Sequence, residues 1–162
     1  MTINPDLQGR SYPAKEVYDV GREKIREFAR AVKATHPAHF ELDAAKALGH
    51  GDLVAPPTFA IIVAQRADAQ LIEDPDSGID FSRVVHADQR FIHHRPIVAG
   101  DRLVAELHVD GVRAMGGGAM ITTRSEIFAL TADGAAAGEV DDAAREAVAT
   151  ATSSILVRGE GQ

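Results

Sequence analysis

Apolar residues in the first part of the chain recur with the period of a helix. Between Gly21 and Val32 they are three and four residues apart, a spacing that places them on one face of an amphipathic helix. A shorter helix is predicted over Asp43–Leu48, because Gly49 and Gly51 follow it and end the pattern. The predicted buried face of the first helix consists of Ile25, Phe28, Ala29 and Val32.

A third helix is predicted from Thr58 to about Leu71, directly after Pro56 and Pro57. Its first half, Phe59–Ala64, is apolar on every side rather than on one face. A helix of this kind is enclosed by other elements of the fold. We therefore expect it to be the central helix of the domain.

The period changes to two in the second half of the chain. From Leu103 to Asp110 every second residue is apolar, and the residues between them are mostly polar, with Val104 as the exception. This alternation predicts a strand with one buried face. The glycine run at 116–118 predicts a turn. The other predicted strands are a short one near Glu16–Val20 and long ones over Val84–Arg95, Ala119–Leu130 and Ala147–Val157.

Helices followed by consecutive antiparallel strands predict an α+β fold rather than an alternating α/β fold. We expect one domain, residues 1–162, in which a long antiparallel sheet wraps around the central apolar helix. Residues 131–145, rich in Ala, Gly and Asp, are expected to form a flexible, solvated hairpin excursion. Because the helix covers one face of the sheet and the sheet edges stay open, a second subunit is expected.

Composition narrows the possible functions. A net charge of −7 would repel a phosphate backbone, so nucleic acid binding is not expected. The absence of cysteine excludes a disulfide, a thiolate nucleophile and a cysteine-ligated zinc site. The segment from Met1 to Arg10 lacks the order of a secretory signal, and no apolar run approaches about 18 residues, so we expect a cytoplasmic protein that does not span a membrane.

His36 and His39, with Glu41 close by in the sequence, are metal ligands by residue type. Two histidines three residues apart with scattered carboxylates are common by chance, so a metal site is not expected. No cofactor is expected either.

Four segments carry a recognisable order of motifs: His36-Pro37-Ala38-His39-Phe40, Leu53–Phe59, His86–Phe91 and His94–Asp101. This order resembles the MaoC-like hot-dog family of hydratases and dehydratases. The resemblance covers Gly21 to Leu107. It is nearest to actinobacterial (3R)-hydroxyacyl-ACP dehydratase subunits and to N-terminal MaoC-like dehydratase domains. It implies a single hot-dog fold.

The resemblance also implies a chemistry, the reversible addition of water to an enoyl thioester to give a (3R)-hydroxyacyl thioester. In the family, an Asp and a His position the water and move protons, which requires both within hydrogen-bond reach of it. A backbone amide at the start of the central helix stabilises the enolate-like thioester oxygen.

Carried over by position, the family histidine falls on His39. The family aspartate falls on Ala34, which cannot move a proton, and the family glycine amide falls on Pro57, which has no N–H. The chain therefore resembles the scaffold or substrate-tunnel half of a dehydratase, which pairs with a catalytic hot-dog subunit. The carboxylates that would have to replace the missing one are Asp43, Asp52 or Asp88.

Substrate contacts are expected at two places. Pro57, Thr58 and Phe59 open the central helix, and Gln89, Arg90 and Arg95 belong to the strand that resembles the family's second strand. Arg90 and the run His93-His94-Arg95 have the charge to hold the phosphates of coenzyme A or of a carrier-protein arm. The alternative is a solvated strand end, because neighbouring strand residues point to opposite faces.

Two functions from different classes remain open. The first is a subunit of a (3R)-hydroxyacyl dehydratase in fatty-acid metabolism, acting on acyl-CoA or acyl-ACP as a homodimer or heterodimer. The second is a non-catalytic acyl-binding homodimer, in which His39 is a core-edge histidine bonded to backbone. A thioesterase is less favoured because the central helix carries Gln65 and only a late Asp68 where a carboxylate base is needed.

Overall fold

One antiparallel sheet of six strands dominates the computed structural model, which describes residues 3–131 and 144–159. Its strands are β1 (Ser11–Tyr12), β2 (Tyr18–Asp19), β3 (Val84–His93), β4 (Arg102–Met115), β5 (Gly118–Leu130) and β6 (Arg145–Val157). The order across the sheet is β1-β4-β5-β6-β3, and β2 also pairs with β4. The helices are α1 (Arg22–Ala31), α2 (Leu42–Ala47) and α3 (Ile61–Glu73), with 3-10 turns at Pro5–Leu7, Pro37–His39 and Phe81–Arg83.

The predicted alternation of the strands is confirmed. Every second residue of β5, from Ala119 to Ala129, is buried, so one face of the strand lies against α3 and the core. The glycine run at 116–118 makes the turn between β4 and β5, and Gly117 has a φ of 91°, which suits a residue without a side chain. The α+β class and the antiparallel sheet with a central helix are therefore as expected.

Val104 belongs to the set of β4 residues expected to face solvent. It is instead fully buried, on the outer face of β4. The N-terminal segment crosses this face and covers it, which the alternation within β4 alone does not reveal. The small outer cluster contains Ala14, Val17, Val104, Phe128 and Leu130.

The helix α1 has the predicted buried face, with one exception. Ile25 and Ala29 are fully buried, and Phe28 packs against the core. Val32 is 45% exposed, so its expected burial is wrong. The helix ends at Ala31, and Lys33 adopts a left-handed conformation with φ 58°, as is common just after a helix.

The central helix starts three residues later than expected, at Ile61 rather than Thr58. The residues before it form tight turns, with Phe59 N–H donating to the Pro56 carbonyl at 2.9 Å and Ile61 N–H to the Thr58 carbonyl at 3.1 Å. Such bonds span three residues rather than four, so this part of the chain is not yet an α-helix.

The central helix is also less enclosed than expected. Val63, Ala64, Ala67 and Leu71 are buried, because α3 lies across β4 and β5. The opposite stripe of α3 is at least partly exposed, and it leaves the inner face of β3 partly uncovered. The stripe consists of Ile61, Gln65, Asp68 and Ile72.

Strand β3 is an edge strand that carries a β-bulge. His86 pairs with Ile155, and Asp88 pairs with Ser154, so Ala87 is one extra residue. The bulge changes which residues of β3 face α3. These are Val84 and His86 before the bulge and Gln89, Phe91 and His93 after it, as their pairing with β6 shows.

The expected excursion at 131–145 falls largely on residues 132–143, which lie outside the described residues. At its two ends, Thr131 N–H donates to the carbonyl of Ala144 at 2.9 Å, so β5 and β6 are joined there by a backbone hydrogen bond. Within the described part of the chain, no helix is long and apolar enough to cross a membrane.

Candidate functional site

His39 lies at the end of the Pro37–His39 turn, where its side chain is half-buried. Its Nδ1 is 2.7 Å from the carbonyl oxygen of Val54. A carbonyl oxygen only accepts hydrogen bonds, so His39 carries a proton on Nδ1. In the neutral ring this leaves a lone pair on Nε2, the atom that can accept a proton or bind a water.

The partner of His39 belongs to a short extended segment that leads to α3. Val54 N–H donates to the Ala38 carbonyl at 3.2 Å, and Ala55 N–H donates to the Ile97 carbonyl at 2.8 Å. Val54 also forms an antiparallel bridge with Val98. These bonds fix the position of His39 relative to the N-terminal end of α3.

The three residues expected to open the central helix have different environments. Pro57 and Thr58 are exposed, so a ligand at the entrance of α3 can reach them. Phe59 is fully buried, with its ring edge-on to Phe28 at 5.3 Å and to Tyr18 at 6.2 Å. Phe59 therefore packs the core in this chain.

None of the three carboxylates considered as replacements contacts His39 through the described hydrogen bonds or ring contacts. Asp52 receives two hydrogen bonds from the Arg22 guanidinium, both 2.9 Å, and one from Leu53 N–H at 2.7 Å. These bonds hold the pKa of Asp52 below its ordinary value. Asp43 lies exposed in the first turn of α2, and Asp88 lies exposed on β3.

Arg95 is held by carboxylates of its own chain. It donates to both oxygens of Asp101 at 2.8 and 3.0 Å, and its Nε lies 3.1 Å from Glu146. These bonds raise the pKa of Arg95. Arg90 is exposed on β3. The two arginines expected at the substrate thus differ, one tied into the fold and the other facing solvent.

Gln89 lies on the inner face of β3. Its side-chain oxygen accepts hydrogen bonds from Ser153 Oγ at 2.6 Å and from His86 Nε2 at 3.1 Å. Of the phosphate candidates, His93 stacks on Phe91 at 6.0 Å and His94 Nε2 lies 3.4 Å from Thr150 Oγ1. The cationic run is therefore split between the two faces of the strand.

Asp68 is a further functional candidate. In the sequence it was considered only as a carboxylate placed too late on the central helix for a thioesterase. It lies on the partly exposed stripe of α3, is half-buried, and accepts a hydrogen bond from Thr123 Oγ1 at 3.1 Å. Burial raises its pKa to about 6. The signal available in the sequence was its place seven residues after Ile61, which puts both on one helix face.

Residues 3–131 and 144–159 contain no cluster of three or more His, Asp or Glu side chains that could hold a metal ion. His36 instead uses its Nδ1 to accept a hydrogen bond from Ala38 N–H at 3.1 Å, which caps the turn before His39.

Comparisons with known proteins agree with this fold. The family model of the FAS1-like dehydratase domain region matches residues 6–137. A UPF0336 protein of Clavibacter michiganensis is 49% identical over 160 residues, or 99% of each chain. The crystal structure of the C-terminally truncated HadBC (3R-hydroxyacyl-ACP dehydratase) complex from Mycobacterium tuberculosis is similar, at 35% identity and a TM-score of 0.76, over 93% of this chain and 97% of that one.

A second solved structure, described as a MaoC-like dehydratase, is 31% identical with a TM-score of 0.79. The match covers 94% of this chain and 42% of that one, so this chain corresponds to less than half of the larger protein.

Proposed function

Because this chain belongs to the family of the FAS1-like dehydratase domain region, with the MaoC-like hot-dog fold, we propose that it is the scaffold or substrate-tunnel half of a (3R)-hydroxyacyl thioester dehydratase. The observation that carries the proposal is the set of groups around His39. His39 has a free Nε2, and the resemblance implies that Ala34 and Pro57 stand where the family has its carboxylate and its amide donor.

Dehydration of a 3-hydroxyacyl thioester removes a proton from the carbon next to the carbonyl and protonates the departing hydroxyl. The two proton transfers need a pair of positioned groups, and the enolate oxygen needs a hydrogen-bond donor. Loss of one such donor alone costs about 3 kcal/mol of barrier. His39 without a carboxylate or an amide beside it is therefore insufficient, and a partner subunit supplies the complete set.

The described surface offers a place for such a partner. Strand β3 is at the edge of the sheet, so one side of its backbone has no strand beside it. Three large apolar side chains are exposed on or next to it, Phe81 at 68%, Val85 at 43% and Ile92 at 53%. An apolar, unpaired edge strand is a site for pairing with another chain.

A heterodimer fits the site better than a homodimer. Two copies of this chain would bring together two sites that both lack the carboxylate and the amide. The solved relative at 35% identity is a complex of two different subunits, which supports the same assembly here. We propose as the partner a hot-dog subunit in which the family motif Asp-x-Asn-Pro-x-His, which carries the carboxylate and the histidine, is intact.

The proposed substrate is an acyl thioester of coenzyme A or of an acyl carrier protein. Its chain would lie along α3, where Pro57 and Thr58 are exposed at the entrance. Arg90, exposed on β3, is the proposed contact for a phosphate of the carrier, because Arg95 is already bound to Asp101 and Glu146.

The test is an enoyl thioester hydration assay that follows the loss of conjugated absorbance. A crotonyl and a longer enoyl thioester are each mixed with this chain alone, with the partner alone, and with both. We expect activity well above that of either chain only when both are present. Activity of this chain alone would overturn the proposal.

The alternative is a non-catalytic acyl-binding homodimer. It is favoured by the same observation, one catalytic group present out of three. It predicts that the thioester binds to this chain, that the chain pairs with itself, and that no partner with an intact motif produces hydration.

A further inference from the structure

Val54, whose carbonyl oxygen accepts the hydrogen bond from His39, forms an antiparallel bridge with Val98. Two backbone hydrogen bonds flank this bridge. They run from Ala55 N–H to the Ile97 carbonyl at 2.8 Å and from Ala99 N–H to the Leu53 carbonyl at 2.9 Å. In an antiparallel pair of this kind, the two central residues do not bond to each other, so their N–H and carbonyl groups point outward. The bridge therefore has two outer sides, one on Val54 and one on Val98.

His39 and Asp101 bind these two outer sides. On one side, Val54 N–H donates to the Ala38 carbonyl at 3.2 Å, and the Val54 carbonyl accepts the hydrogen bond from His39 Nδ1 at 2.7 Å. On the other side, Val98 N–H donates to the Asp101 carboxylate at 2.9 Å, and the Val98 carbonyl accepts a hydrogen bond from Asp101 N–H at 3.2 Å. The same bridged pair thus connects the carboxylate to the histidine.

The Asp101 carboxylate is itself held in one orientation. Arg95 donates to both of its oxygens, at 2.8 and 3.0 Å, and a bidentate pair of this kind fixes geometry as well as charge. The Asp101 side chain is only 12% exposed. Arg95 Nε lies 3.1 Å from Glu146 on β6. A continuous set of contacts therefore leads from the main sheet to His39.

We propose that Asp101 is a positioning residue for His39. Through the bridge of Val98 with Val54 it holds in place the carbonyl that keeps a proton on Nδ1 of His39 and leaves Nε2 as an acceptor. Arg95 supports this position, which gives it a role in the site without contact to a phosphate. The inference rests on the proposed function only for the use that a bound thioester makes of Nε2.

The turn over residues 98–101 has the means to form without this carboxylate. Gly100 has a φ of 95°, which suits the third position of a tight turn. Gly100 N–H donates to the Val20 carbonyl at 2.8 Å, and Val20 N–H donates to the Asp101 carbonyl at 2.8 Å. The carboxylate adds a bond to the N–H of Val98, the residue that pairs with Val54. Its removal should therefore disturb the bridge more than the turn.

The test measures the tautomer of His39 in the full chain by long-range proton–nitrogen NMR at pH 8. Asp101→Ala should raise the ratio of the other neutral tautomer to the present one about fivefold, the value of one hydrogen bond. Asp101→Asn, which keeps an oxygen for Val98 N–H, should restore part of the wild-type ratio. Arg95→Ala, which leaves the carboxylate unanchored, should change the ratio in the same direction, and it carries the test if Asp101→Ala does not fold.

Asp74 offers a matched control, because it is a similarly covered carboxylate at the end of α3. Its side chain is 16% exposed, and it accepts hydrogen bonds from Arg10 at 3.2 Å and from Asp76 N–H at 2.9 Å. Asp74→Ala should therefore lower stability as Asp101→Ala does, but it should leave the tautomer of His39 unchanged. A loss of stability alone would move both variants alike, so the comparison isolates the positioning effect.

A second measurement uses the hydration assay with a partner subunit. If Asp101 acts through His39, Asp101→Ala should lower the rate when His39 is present and should add no further loss to His39→Ala. This non-additivity is the expected result for two residues that act as one unit.

Three results would overturn the inference: an unchanged tautomer in both Asp101→Ala and Arg95→Ala, an equal change in Asp74→Ala, or a loss of hydration rate in Asp101→Ala that is the same with and without His39. The tautomer measurement needs no partner. If no partner produces hydration while the tautomer of His39 changes as expected, the proposed function fails and the positioning of His39 by Asp101 stands.

Discussion

His39 donates a hydrogen bond from Nδ1 to the carbonyl oxygen of Val54 at 2.7 Å, and this bond selects one of the two neutral forms of its ring. His36, three residues earlier, has the opposite arrangement, because its Nδ1 accepts a hydrogen bond from Ala38 N–H. Both histidines thus use Nδ1 for a hydrogen bond to the backbone, and of the two only His39 leaves an unprotonated Nε2.

The first prediction concerns these tautomers. In long-range proton–nitrogen NMR spectra at pH 8, Nε2 of His39 should resonate as an unprotonated nitrogen and Nδ1 as a protonated one. His36 should show the reverse and serves as the internal control. The same tautomer for both histidines would contradict the geometry of the site.

The second prediction concerns Asp68 and stability. Burial raises its pKa in the folded chain from 3.8 to about 6, so the folded state binds this proton more tightly than the unfolded state. This contribution to stability is complete below about pH 4, falls as the pH rises to about 6, and is absent above it, a difference of about 2–3 kcal/mol. Asp68→Asn should therefore gain stability relative to the wild type as the pH rises through this window.

The measurement is urea unfolding of the two proteins at pH 4, 5, 6 and 8. Asp88→Asn is the control, because Asp88 is exposed, and its difference from the wild type should stay within about 0.5 kcal/mol at every pH. A constant difference between Asp68→Asn and the wild type would show that Asp68 is not buried as described.

The third prediction separates the two arginines of the cationic run. Arg95→Ala should lower the free energy of unfolding by about 2 kcal/mol, because it leaves Asp101 without its paired donor. Arg90→Ala should change stability by less than about 0.5 kcal/mol and should weaken binding of an acyl-CoA. Calorimetry at two salt concentrations tests the second effect, because the loss should shrink at high salt. Equal affinity of Arg90→Ala and the wild type would exclude Arg90 as the phosphate contact.

The fourth prediction concerns the edge of the sheet. Ile92→Lys places a charge on the exposed apolar side of β3, so it should weaken association with a partner hot-dog subunit at least about tenfold. Val32→Lys is a matched control, since Val32 is similarly exposed but lies at the end of α1 and not on β3. Light scattering on the mixed chains measures both. Loss of association in Val32→Lys alone would place the interface elsewhere.

The pattern of apolar residues within single helices and strands was sufficient to predict much of the fold. The alternation in β5 and the apolar spacing in α1 depend on one buried side, and that is visible in a single segment. The properties that were missed depend on residues far away in the sequence. Val104 is covered by the N-terminal segment, and Arg95 is held by Glu146 on β6.

In the candidate site, too, some properties follow from the local sequence and others depend on residues far away in the chain. The place of His39 in a turn before the central helix follows from local sequence. Its bond to Val54 requires the chain to return to it fifteen residues later. The burial of Asp68 could not be predicted from the local sequence, because it comes from β5 and β6, which follow it by more than fifty residues.

The extra residue in β3 has a consequence for how relatives of this chain are compared. Removal of Ala87 would leave a regular strand in which Asp88 still pairs with Ser154 and Gln89 with Ser153, so both side chains would keep their faces. A homologue without that residue would have the counterpart of Gln89 two residues after the counterpart of His86, a spacing at which this chain has Asp88. Equivalent residues in β3 are therefore defined by their partners on β6, and an alignment that ignores one insertion would assign substrate and surface roles to the wrong side chains.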